Sequence, residues 1–112
     1  MSKSAETAAR IRELNDNLRS TFTTGEVVMT LGVAALAEDE LVQVLERVRA
    51  FDELTNDNDP HGEHDFGNLV VGGVTYFFKV DYYAPDMQGG SEDPTDPEKT
   101  TRVLTIMRAD EY

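Results

Sequence analysis

The residues best equipped for chemistry lie in one run, Asn56-Asp57-Asn58-Asp59-Pro60-His61-Gly62-Glu63-His64-Asp65-Phe66-Gly67, which holds both histidines of the chain. Asp57, Asp59, His61, Glu63 and Asp65 alternate, and Gly62 follows His61. Ligands at the first, third and fifth positions before a turn-forming Gly open a calcium loop. Here Asn68 stands where the bidentate Glu belongs, and Pro60 stiffens the loop. Asp57, Asp59, His61 and His64 are the alternative set for a transition metal, although the two histidines lack the one-turn helical spacing of a zinc protease. His64 beside Asp65 offers a base with an orienting carboxylate. A hydrolase needs more: there is no Cys, no nucleophile elbow and no phosphate-cradling Gly loop, so the chain reads as non-enzymatic with no cofactor. The same residues also suit a structured turn, because Asp and Asn side chains accept local backbone amides.

Charge extends beyond that run. Asp52 to Asp65 contains Asp52, Glu53, Asp57, Asp59, Glu63 and Asp65 and no Lys or Arg. Asp81 to Glu98 contains Asp81, Asp86, Glu92, Asp93, Asp96 and Glu98, again with no Lys or Arg. Of the 22 acids these segments hold twelve, and the other ten balance the 10 Lys and Arg, so the net charge of -12 sits in two segments. Such a surplus opposes direct binding to nucleic acid, which depends on neutralised phosphates, and binding to anionic membranes. It suits a basic protein surface, and it also serves solubility alone.

The elements that must position these segments follow from periodicity. Ala8, Ile11, Leu14 and Leu18 predict a helix from Ser4 to about Ser20, with Ser4 as N-cap. Val27 to Val33 is β-branched and reads as a strand that Gly32 bulges or ends. Leu41, Val44, Leu45, Val48 and Phe51 line a second helix whose first turn carries Glu38, Asp39 and Glu40. Asn56 to Gly62 is loop, and Asn56, Asp57 and Asp59 are placed to hold the exit from that helix. Phe66–Val71 and Val74–Tyr83 predict a hairpin turning at Gly72-Gly73. Aromatics on both faces of the second arm mark it as an interior strand. Ala84 to Lys99 is a long loop, and Thr101 to Met107 the last strand.

The order helix-strand-helix-strand-strand-strand repeats no crossover unit. It predicts a single α+β domain over 1–112, with a four-stranded, mainly antiparallel sheet and two helices on one face. The longest apolar stretch, Val33 to Ala37, is too short to span a membrane, and the charged start lacks the apolar run of a signal peptide, so a cytoplasmic protein is expected.

The Asn58 to Gly67 run, with Asp81-Tyr82-Tyr83, Gly90-Ser91-Glu92-Asp93-Pro94 and Arg102-Val103-Leu104-Thr105-Ile106-Met107, resembles a family of small bacterial proteins of unknown function, domain of unknown function 3768. The resemblance implies a bacterial cytoplasmic protein, sometimes encoded on mobile elements, and it supplies no activity or catalytic residues. A small acidic protein with that background fits a nucleic-acid mimic of the anti-CRISPR or anti-restriction kind, binding the basic site of a nucleic-acid-handling defence complex. The expected contact residues are Asp57, Asp59, Glu63, Asp65, Asp81, Asp86, Glu92, Asp93 and Asp96, with Tyr82 and Tyr83 as aromatic anchors. This reading requires the two acidic segments to be neighbours in space.

Overall fold

In the computed structural model, which describes residues 2–55 and 57–112, the first helix α1 spans Ser2–Thr21. Its start at Ser2 leaves Ser4 inside the helix instead of at its cap. Ile11 and Leu18 are buried, as their seven-residue spacing requires. The chain then forms strand β1, Glu26–Met29, and departs from expectation at Leu31–Ala34, a helical turn, α2. The β-branched run ends early because the far end of the chain intervenes. The Glu111 carboxylate accepts from the Gly32 amide at 2.8 Å and from the Thr30 hydroxyl at 2.6 Å, satisfying donors at the start of that turn. A Cβ at Gly32 would sit 2.8 Å from both Glu111 and Arg108 side chains, so any larger residue there must push these side chains aside.

Helix α3 spans Glu38–Arg49, with Glu38, Asp39 and Glu40 in its first turn and Arg47 and Arg49 in its last, complementing the helix dipole at both ends. Val44 and Val48 are fully buried, and Leu41 and Leu45 pack beside them. Strands β2 (Phe66–Val71) and β3 (Val74–Tyr83) fall where the alternation puts them. Both turn glycines between them have positive φ, 59° and 79°, the geometry that favours glycine at the tip of a two-residue hairpin. The last strand, β4, is Thr101–Arg108.

The sheet order is β1-β4-β3-β2. The β2–β3 and β3–β4 pairs are antiparallel, and β1 runs parallel to β4. The sheet is therefore mixed, mostly antiparallel, and β3 is interior. One face is closed by the helices: Leu18, Val33, Val44 and Val48 pack on Leu69, Tyr76, Phe78, Val80, Leu104 and Ile106. Each such side chain contributes about 1.5–3 kcal/mol by leaving water. Gly67 lies opposite Phe78 in the register, and the space it leaves admits Phe51, whose ring meets Phe78 edge-on at 5.2 Å. The other face carries a smaller cluster, in which Phe66, Phe77 and Tyr112 pack ring to ring at 5.1 to 5.9 Å. No described helix is long and apolar enough to cross a membrane.

Candidate functional site

The loop from Asp52 to Asp65 is built by its own side chains. Asn58 accepts from the Thr55 amide at 2.7 Å and donates to the Glu53 carbonyl at 2.9 Å. The Gly62 amide closes a turn onto the Asp59 carbonyl at 3.0 Å, with Pro60 fixing φ inside it. Asp59 is buried, and its two carboxylate oxygens accept from the His64 amide at 3.2 and 3.3 Å. That bond holds His64 in the left-handed region at φ 55°. Asn56, expected to help hold the exit from the second helix, lies outside the described residues.

A polar stripe on α1 then clamps the loop. Arg12, Asn15, Asp16 and Arg19 recur at helical spacing beside the apolar face. Arg12 donates to the Gly62 carbonyl at 2.8 Å. Asp16 meets His64 Nδ1 at 2.8 Å, and Asp59 faces His64 Nε2 at 3.6 Å. Fully buried Asn15 is the hub: its amide donates to the Glu63 carbonyl at 3.0 Å and to the Tyr82 hydroxyl at 2.8 Å. Its oxygen accepts from Arg102 Nε at 2.8 Å. Arg19 donates to the carbonyls of Val48 and Phe51 at the end of α3. These residues are absent from the expected site, and their signal in the sequence is the i, i+3, i+4, i+7 spacing of Arg12, Asn15, Asp16 and Arg19 beside an apolar face.

The second acidic segment folds by the same device. Past β3 the chain doubles back: the Ala84 amide donates to Gly89, and the Ser91 amide to the Tyr82 carbonyl at 3.0 Å. Asp86 Oδ1 accepts from the Gln88 amide, Asp93 Oδ1 from the Thr95 amide and hydroxyl, and Asp96 Oδ1 from the Glu98 amide. The Thr95 bonds hold the Asp93 carboxyl below the usual carboxylate range. In all three aspartates Oδ2 meets no donor among the described residues. Glu92 is exposed with Lys99 at 3.9 Å, and Asp81 pairs with Lys79 at 3.0 Å.

The two segments meet at Tyr82. Its hydroxyl donates to Glu63 Oε1 at 2.8 Å while its carbonyl accepts from Ser91, so one residue of β3 touches both. Burial, and then the bond to Glu63, raise the Tyr82 pKa far above the ordinary phenol value, and the group is a neutral donor. Arg102 makes a second join, stacking on the Tyr82 ring at 5.2 Å and donating to the Pro94 carbonyl. Burial raises the Asp65 pKa, helped by the charges of Glu63 and Asp59.

The sites proposed from sequence thus divide. Asp57, Asp86 and Glu92 are exposed, and Asp65, Asp81, Tyr83, Asp93 and Asp96 half-exposed. Asp59, Glu63 and Tyr82 are engaged inside the clamp. His61 is exposed and His64 is turned between Asp16 and Asp59, with its two nitrogens facing opposite carboxylates. Among the described residues, no three His, Asp or Glu side chains gather as a metal site.

The match to the family model for a protein of unknown function, DUF3768, runs from residue 29 to residue 111, and the chain belongs to that family. The matched span begins at Met29, so the α1 stripe that clamps the motif loop lies outside it. No curated protein and no solved structure matches the chain.

Proposed function

We propose that this protein works by binding, presenting its joined acidic segments to the basic surface of a nucleic-acid-handling defence complex and excluding nucleic acid from it. The observation that carries this reading is the double engagement of Tyr82, which makes neighbours of two segments that hold the whole surplus charge. A second feature supports it. Asp86, Asp93 and Asp96 are each fixed through Oδ1 and keep Oδ2 open, so their charge is preorganised and a partner need not order them. The contact set becomes Asp57, Asp86, Glu92, Asp93 and Asp96, with exposed Glu98 added, while Asp59 and Glu63 support the loop from inside.

The test is affinity capture from a bacterial host, followed by titration of the captured complex. A nucleic-acid-binding partner is expected, with affinity falling about tenfold or more from low to physiological salt. DNA or RNA should compete. The variant Asp57→Asn, Asp86→Asn, Glu92→Gln, Glu98→Gln keeps the fold and should lose the partner. Equal binding by that variant overturns the proposal.

A further inference from the structure

Arg102 is the anomaly of this molecule. In a chain with 22 acids and a charge of -12, the residue is 5 % exposed, yet no carboxylate contacts its guanidinium among the described residues. Its partners are neutral: the Asn15 side-chain oxygen on Nε, the Pro94 carbonyl on Nη2 and the Tyr82 ring against its face. Among the described residues Nη1 meets no acceptor, and it is open to solvent. Glu63 acts on this charge without contacting it, and a largely buried guanidinium with one open edge is suited to a directly bonded anion.

The side chain borders a cavity of about 220 Å³ walled by Leu14, Asn17, Thr24, Pro97, Thr100 and Arg102. The walls are of two kinds: Leu14 and Pro97 are apolar, while exposed Asn17 and Thr24 bring an amide and a hydroxyl that meet no partner among the described residues. The volume suits a small molecule and is too small for a nucleotide. Three contacts already fix the guanidinium plane, so little ordering cost remains for a ligand that meets its open edge.

We propose that this cavity binds a small oxyanion, a carboxylate or phosphate group on a short apolar body, with Arg102 Nη1 as the charged donor and Thr24 and Asn17 as neutral ones. The site uses none of the acidic contact residues, so it stands or falls separately from the binding function proposed above.

The probes are inorganic phosphate and propionate, each against chloride at matched ionic strength. At a concentration about tenfold above Kd, either anion should raise Tm by about 5 °C. The amide signals of Thr24, Thr100 and Arg102, and the Arg102 Nε–H signal, should shift with the same saturation curve. Which probe acts distinguishes the two oxyanion classes. Arg102→Gln removes the charge but also the Asn15 and Pro94 bonds, so it does not isolate the site. Asn17→Asp does: a carboxylate on the cavity wall supplies the missing counter-ion. It should raise Tm in the absence of ligand and abolish the anion response. The proposal is overturned by a wild-type chain that treats both probes like chloride, or by an Asn17→Asp chain that responds as wild type does.

Discussion

At the scale of single residues, Asn15 has the largest effect per atom. It is fully buried and joins Glu63, Tyr82 and Arg102 with three hydrogen bonds, one of them to a charged donor. Asn15→Ala leaves Arg102 Nε buried without an acceptor, which costs about 3 kcal/mol, or roughly 10 °C in Tm. Asn17→Ala, exposed two residues further along, should lie within about 0.5 kcal/mol of wild type. Urea denaturation of the two variants checks the contrast, and equal midpoints would remove Asn15 from its role as hub. The sequence could not single out Asn15, because its partners stand 48 to 87 positions away. Only the local parts of the site were legible: Asp, Asn, Pro and Gly announce a turn through bonds that span a few residues. That His64 would meet Asp16, 48 positions away, is not a local property.

At the scale of elements, α3, β2, β3 and β4 were legible because their period and their burial agree. The stretch after Met29 was not. Its β-branched residues favour strand, but Glu111, about 80 positions later, captures the Gly32 amide and the Thr30 hydroxyl and turns the chain into α2. The parallel β1–β4 pair was hidden for the same reason, since strand neighbours separated by most of the chain leave no periodic trace. The latch has a titration signature. The Thr30 hydroxyl first, and then the Arg108 and Gly32 amides, hold the Glu111 carboxyl below its ordinary value of 4.5. A depressed carboxylate adds stability above its unfolded value and loses it as pH falls through the folded one. Glu111→Gln should therefore lower Tm by a few degrees near pH 7, and the gap should close as pH falls below 4.5 and through the depressed folded value. A gap of constant size across that range would assign the loss to packing instead of charge.

At the scale of the whole molecule, the question is where the few cations go. Arg12, Arg19, Arg47, Arg49 and Arg102 all donate to backbone carbonyls. Of these five only Arg19 also meets a carboxylate, Asp16, among the described residues. Half of the ten basic side chains thus tie elements together and neutralise little of the acidic surface. The remaining surface pairs, such as Lys99 with Glu92 at 3.9 Å, contribute at most about 1 kcal/mol each and are screened by salt. Self-repulsion among the unneutralised carboxylates then outweighs the attractions that salt would weaken. Tm should rise by several degrees as potassium chloride is raised from about 0.01 M to about 0.5 M, where the screening length falls below about 5 Å. The same rise should be mostly absent from the loop-neutralised variant, whose removed charges belong to the two acidic segments. Calorimetry at fixed pH reads both curves. A wild-type Tm that is flat or falls with salt would mean that the carboxylates are already compensated within the fold, leaving no surplus field for a basic partner to meet.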